Sequence, residues 1–246
     1  MQIRYFREYS HHLDRFMEFK MYGHAGKMCV VFPCQDGRFF EWEDRHMFEL
    51  VEDLIDQGRI QFVTVDSIDK ETWSAYGDTG HRMWLQECWV HYVMEELIPS
   101  ALYKAGLPED SKCMTMGASM GGTHAANFFF RFPERFDKVL GISGVYDMES
   151  YFYGQFDENS YKNDPCAYLS GMDPNHYFIQ LYNQSQIILT CGQGAWENET
   201  KDSLFKLRDI LNAKGIHAWI DFWGYDVNHD WPWWEVMIKY FLPQMV

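Results

Sequence analysis

The stretch MGASMGG, residues 116–122, sets one serine among three glycines directly after an apolar run. Gly117-Ala118-Ser119-Met120-Gly121 fits G-x-S-x-G, the spacing of a serine held in a sharp strand-to-helix turn. There the glycines are room for backbone, because side chains at 117 and 121 would collide with neighbouring chain. Ser119 would project its oxygen above a sheet, beside a helix N-terminus that favours developing negative charge. A phosphate cradle fits less well. A Walker loop needs a lysine after its glycines, which is missing here, and a dinucleotide fingerprint has a different spacing. The bland alternative is a serine N-cap in a glycine-rich turn. Gly122 reads as space for the helix to approach the sheet.

A serine hydroxyl needs a base to become a nucleophile. In a strand-turn-helix serine site of this type, the chain order is serine, acid, histidine. His229 lies in GYDVNHDWPWW, between the last strand and the last helix, which returns it to the sheet edge where Ser119 projects. His124, five residues past Ser119, reads as structural, and His81 is a residue near the pocket at most. The base needs a carboxylate to hold its tautomer. Glu197, in GQGAWENET after the strand QIILTCG, is the first choice. Asp147 in SGVYD is the runner-up, with Glu199 and Asp202 behind it. An oxyanion needs two N–H donors. Met120 would supply one. The other would come from CQDGRFF, where Gln35 is favoured over Asp36 and Arg38. Trp73, Tyr151, Trp196 and Trp231 are candidate pocket walls, with ordinary packing as the alternative for each. No metal site is expected, since no HExxH or zinc-type Cys/His spacing occurs.

These residues need a scaffold that brings distant loops to one edge. MCVVFPC (28–34), IQFVTVD (60–66), KCMTMGA (112–118), KVLGIS (138–143), QIILTCG (186–192) and HAWIDFWG (217–224) read as strands, mostly as continuous apolar runs covered on both faces. Apolar spacing predicts helices over 44–57, 82–105, 123–132, 201–213 and 231–242. RYFREY and RFMEFKMY alternate with period two and predict an antiparallel opening pair. The alternation predicts a mostly parallel sheet with helices on both faces, in one domain spanning 1–246. Residues 145–184 break the rhythm and read as a cap or pocket-wall excursion.

The bulk numbers narrow the partners. A chain of 246 residues with 47% hydrophobic and 23% charged residues fits a globular domain. A formal charge of −15 disfavours nucleic acid and anionic membranes. MQIRYFREYS carries no secretory-type apolar core, and no run of about 18 apolar residues occurs. Six scattered cysteines without CxxC fit free thiols in a reducing cytoplasm. The expected partner is a small molecule with no cofactor, and the reading leaves a homo-oligomer open.

FPCQDGRFFEWED, GASMGGTHAANFFFRFP, SGVYD, TCGQGAWEN and NHDWPWW together resemble the putative-esterase branch of the α/β-hydrolases, over nearly the whole chain. That branch includes esterase D (S-formylglutathione hydrolase), feruloyl esterases and mycobacterial mycolyltransferases. The resemblance implies an α/β-hydrolase fold and serine carboxylesterase chemistry. It also implies an acid after TCG and a base before the last helix, which supports Glu197 and His229. Many members carry Asp nearer the loop glycine, where this chain has Gly194-Ala195, so the glutamate must reach from further along. Acyl transfer by the same triad and a non-catalytic binding role are the rival expectations.

Overall fold

The computed structural model describes residues 1–246. Eight strands form one sheet in the order β1-β2-β4-β3-β5-β6-β7-β8. They are β1 Ile3–Ser10, β2 Arg15–Tyr22, β3 Lys27–Phe32, β4 Ile60–Val65, β5 Cys113–Ala118, β6 Phe136–Ile142, β7 Gln186–Cys191 and β8 Trp219–Phe222. β1 pairs antiparallel with β2, and β2 antiparallel with β4. All other neighbours are parallel. This is the mostly parallel sheet with an antiparallel opening pair that the strand pattern predicts, and the α/β-hydrolase architecture that the resemblance implies.

Ten helices surround the sheet: α1 Glu41–Asp44, α2 Glu52–Asp56, α3 Thr79–His91, α4 Ile98–Ala105, α5 Met120–Arg131, α6 Glu158–Lys162, α7 Pro165–Gly171, α8 Tyr177–Asn183, α9 Asn198–Ala213 and α10 Trp231–Phe241. The strands feed both layers because successive side chains point to opposite faces. Met28, Val30 and Phe32 of β3 join one core with Phe128 and Phe129 of α5 and Leu207 of α9. Cys29 and Val31 join the other, with Trp42 of α1 and Met237 and Phe241 of α10. A strand buried on both faces has no polar side to alternate with, hence its unbroken apolar run.

Two expected helices differ. The helix expected over 44–57 is broken into α1, a 3₁₀ turn at Glu49–Val51 and α2. His46 adopts φ +56°, which no right-handed helix accepts. The helix expected over 82–105 starts at Thr79, where the Asp78 side chain accepts from the Gly80 N–H. It then widens into a π-helical turn at Tyr92–Leu97. Pro99 explains the widening: it has no N–H to give, and its ring crowds the carbonyl one turn back.

Residues 145–184 are only partly an excursion. Cys166, Leu169, Ile179 and Tyr182 sit in the larger core, so α7 and α8 belong to the helical layer between β6 and β7. The stretch that lies over the strand edge is short, centred on the 3₁₀ turn Glu149–Phe152. Asp164 fastens it. This carboxylate caps α7 through the Ala167 N–H (2.9 Å) and accepts from the Met148 N–H (3.2 Å). Burial pushes its pKa up to about 6, against the pull of those two N–H donors. A raised acid pKa means that the fold keeps a proton which the unfolded chain has lost. Stability therefore falls as pH rises from about 4 to about 6, and the deficit persists above that. Urea unfolding at the two ends of that range should show Asp164→Asn losing less stability than wild type, by a few kcal/mol.

Candidate active site

Parallel strands deliver their following loops to one edge of the sheet, and ligands of open α/β sheets bind there. β3 leads to Gln35, β5 to Ser119, β7 to Glu197 and β8 to His229.

Ser119 joins β5 to α5 with φ +56° and ψ −129°. A non-glycine residue in that region is strained, and the surroundings hold it. Its N–H donates to the Ile142 carbonyl (2.9 Å), and its own carbonyl accepts from Gly122 (2.8 Å). The glycines are obligatory for space. A Cβ at Gly117 would lie 2.2 Å from the Gly121 oxygen, and one at Gly121 would lie 2.4 Å from the Phe32 oxygen. A Cβ at Gly122 would meet the Ile142 oxygen at 2.7 Å, so α5 packs tightly against β6 there.

His229 Nε2 lies 2.9 Å from Ser119 Oγ, and its Nδ1 lies 3.3 Å from Glu197 Oε2. An ionised carboxylate only accepts, so Nδ1 carries the proton and Nε2 accepts from the serine hydroxyl. The loops that bring Glu197 and His229 together are zipped by backbone. Gly194 N–H donates to the Val227 carbonyl (2.8 Å), and His229 N–H donates to the Ala195 carbonyl (2.9 Å). Asn228 Oδ1 accepts from the Ala195 N–H (2.8 Å). The edge of Trp234 braces the imidazole, with ring centroids 5.0 Å apart.

Glu197 is fully buried. Burial alone pushes its pKa up, yet donors from His229, Ser143 and Thr200 outweigh it and hold the carboxyl below its ordinary value. Ser143 Oγ donates to Oε1 (2.6 Å), as does the Gly192 N–H (3.2 Å). The Thr200 hydroxyl donates to Oε2. Ser143 and Thr200 were not among the expected site residues. Their serine and threonine types carry no spacing signal, because Ser143 meets Glu197 from 54 positions away. Asp147 instead accepts from Lys206 Nζ (2.6 Å) and makes no hydrogen bond with His229. Glu199 lines the cavity, while Asp202 sits beside Lys201.

A cavity of about 170 Å³ opens over Ser119, lined in part by Gln35, Met120, Tyr151, Trp196 and His229. Of the four candidate walls, Tyr151 and Trp196 face it. Trp73 is buried behind it among Met120, Val145 and Phe152. Trp231 packs instead on Trp42 and Trp234. His81 stacks on exposed Trp84, away from the cavity. No three His, Cys, Asp or Glu side chains converge as metal ligands would.

Over 34–38 the loop after β3 leaves the N–H groups of Gln35 and Arg38 uncommitted, and of the two residues only Gln35 lines the cavity. Cys34 donates to Glu41 (2.7 Å), Asp36 to Asp69 (3.3 Å) and Gly37 to the Cys34 carbonyl (2.9 Å). Gln35 remains, as does Met120 at the first position of α5, whose N–H no helical carbonyl can reach. Two such donors beside a serine–histidine–carboxylate chain can stabilise an oxyanion while the serine adds to a carbonyl.

A family model described as Putative esterase matches residues 10–240. The chain belongs to that family. It is accordingly a hydrolase of the esterase class. A ferulic acid esterase superposes with a TM-score of 0.78 at 16% identity, over 99% of this chain and 97% of that one. An S-formylglutathione hydrolase from Agrobacterium tumefaciens gives 0.75 at 14% identity, over 99% and 94%. MPT51 of Mycobacterium tuberculosis gives 0.74 at 14% identity, over 100% and 98%. At such identities the likeness is one of fold. No curated protein matches the chain significantly.

Within this esterase, Trp196 is the exposed aromatic at the cavity mouth, 86% accessible and held at φ +66°. Its left-handed backbone turns the chain so that Glu197 reaches His229 from two residues past Gly194-Ala195. Trp196→Ala should raise KM several-fold with kcat little changed. Trp196→Gly should be more stable than Trp196→Ala by about 1 kcal/mol, since glycine meets no Cβ penalty there. Steady-state kinetics and urea midpoints check the two halves.

Proposed function

We propose that the chain is a serine carboxylesterase acting through an acyl-enzyme on a small acyl or aryl ester. The observation that carries the reading is the chain Ser119 Oγ, His229 Nε2, His229 Nδ1, Glu197 Oε2, with steps of 2.9 and 3.3 Å. Ser119 Oγ bonds to the acyl carbon while its proton passes to His229 Nε2. The carbonyl oxygen takes the negative charge and accepts from the Met120 and Gln35 N–H groups. Collapse of this adduct breaks the ester C–O bond, and His229 returns the proton to the leaving alkoxide. Water then adds to the acyl-enzyme with His229 as base, releasing the carboxylic acid and free Ser119.

The small cavity supports a short acyl group. The compartment proposed is the cytoplasm, in keeping with six unpaired cysteines. No helix is long and apolar enough to cross a membrane. The proposed partner is the ester alone, as the charge of −15 speaks against nucleic acid.

The test is a series of p-nitrophenyl esters followed by stopped flow, with and without a competing alcohol. A burst of p-nitrophenol and a preference for acetate over octanoate are expected. Products partitioning mainly to a new ester would replace hydrolysis by acyl transfer. Absence of turnover in folded protein would leave a binding role.

A further inference from the structure

His124 and Asp69 form a buried pair that the triad does not use. Each is 2% exposed, and His124 Nε2 lies 3.1 Å from Asp69 Oδ1. A carboxylate only accepts, so Nε2 donates the hydrogen. His124 stands four residues past Met120, one turn along α5. It is walled by aromatic rings, with Trp89 4.8 Å and Phe32 5.9 Å between centroids. A charge in such a place is costly unless it answers several donors.

Asp69 answers a second one. Its Oδ2 accepts from the N–H of Asp36 (3.3 Å), in the loop that presents Gln35. Asp36 itself sits at φ +61°, a left-handed conformation that aspartate tolerates better than most residues. The same segment grips the loop again. The Ser74 N–H donates to the Asp69 carbonyl (2.8 Å). Ser74 Oγ donates to Asp36 Oδ1 (2.6 Å) and accepts from Gln35 Nε2 (2.8 Å). One carboxylate thus spans the two elements that carry the oxyanion donors: α5, with Met120 at its start, and the loop after β3, with Gln35.

We propose that Asp69 and His124 are positioning residues that set the separation of the Met120 and Gln35 N–H groups, with Ser74 as the second clamp on the loop. This rests on the esterase reading above. Neither residue touches the reacting atoms. The pair joins two pieces of backbone that no strand ladder connects at that point; its own hydrogen bond is buried, and the one from Asp36 is partly so. Gln35 is otherwise an exposed residue in a loop. Without the tether its N–H drifts, and the transition state loses a donor that the ground state hardly uses.

The variants are Asp69→Ala, Asp69→Asn, His124→Gln and Ser74→Ala, each checked for a cooperative melt. Asp69→Ala should lower kcat about 100-fold, the effect of losing one oxyanion donor. KM should stay within about threefold, since the lost interaction belongs to the transition state. Asp69→Asn should recover most of the rate, because its oxygen still accepts from Asp36 while His124 takes the other tautomer. A phenylboronic acid, which forms a tetrahedral adduct with Ser119, should bind Asp69→Ala less tightly by a factor close to the loss in kcat. Amide hydrogen exchange supplies a readout free of turnover: residues 34–38 should exchange faster in Asp69→Ala, and in half-buried Ser74→Ala if the first variant does not fold. A folded Asp69→Ala with wild-type kcat or with wild-type exchange over 34–38, or, where that variant does not fold, a folded Ser74→Ala with wild-type exchange there, overturns the proposal. A wild-type protein inert to every ester overturns the esterase reading instead, and the exchange experiment still tests the tether.

Discussion

Ser119→Ala lowers kcat for an activated ester by about 10⁶-fold while leaving the protein folded. The hydroxyl is the only atom removed. The backbone hydrogen bonds that hold the turn, to Ile142 and from Gly122 and Thr123, remain. Alanine meets the same positive-φ strain as serine, so stability changes little. His229→Ala falls to a similar level, because the imidazole and the hydroxyl act as one unit across their 2.9 Å contact. The double variant is then no worse than either single one. A residual of about 10³-fold over the uncatalysed reaction survives from the Met120 and Gln35 donors and from substrate binding. Additive losses would mean that Ser119 and His229 work separately, against the linear arrangement observed.

Glu197→Gln comes next, with kcat about 10⁴-fold lower. The side chain keeps its shape, but one carboxylate oxygen becomes an NH₂. If that group faces His229 Nδ1, the ring must move its proton to Nε2, where it can no longer accept from Ser119. Stability drops too. Glu197 answers Ser143, Gly192, Thr200 and His229. A glutamine leaves at least one of these buried donors unanswered, at about 1–3 kcal/mol. The pH dependence has a definite sign. The carboxyl is held below its ordinary value, so its contribution is complete above the usual carboxylate pKa of about 4.3. It is lost as pH falls through the folded value. The stability gap between wild type and Glu197→Gln is therefore full at neutral pH and closes in strong acid. Denaturant melts from neutral to strongly acid pH check this, and a constant gap would contradict the buried, ionised carboxylate.

The sheet was legible because a strand covered on both faces has nowhere to put a polar side chain, so β3, β4 and β5 announce themselves. The elbow was legible because its glycines are demanded by backbone oxygens less than 3 Å from any Cβ. Helix breaks were not, since they depend on single residues in unusual states: His46 in the left-handed region and Pro99 forcing a wide turn. The long reach of Glu197 hangs on Trp196, a bulky residue at φ +66° that no spacing rule anticipates. Residues 145–184 look polar along their length, yet Tyr182 is fully buried against Phe129 and Phe130. The Asp69–His124 contact spans 55 positions, and although His124 reads as structural from its place in the elbow helix, nothing near Asp69 marks it as the partner.

The central claim is that Ser119 is a nucleophile activated by His229. A fluorophosphonate probe tests it most directly, because an activated serine displaces fluoride from phosphorus far faster than an ordinary hydroxyl does. Intact mass spectrometry should show one adduct, and peptide mapping should place it on Ser119. Labelling should vanish in Ser119→Ala and slow by orders of magnitude in His229→Ala. A folded wild-type protein that takes no label, or takes it at another residue, would contradict the account.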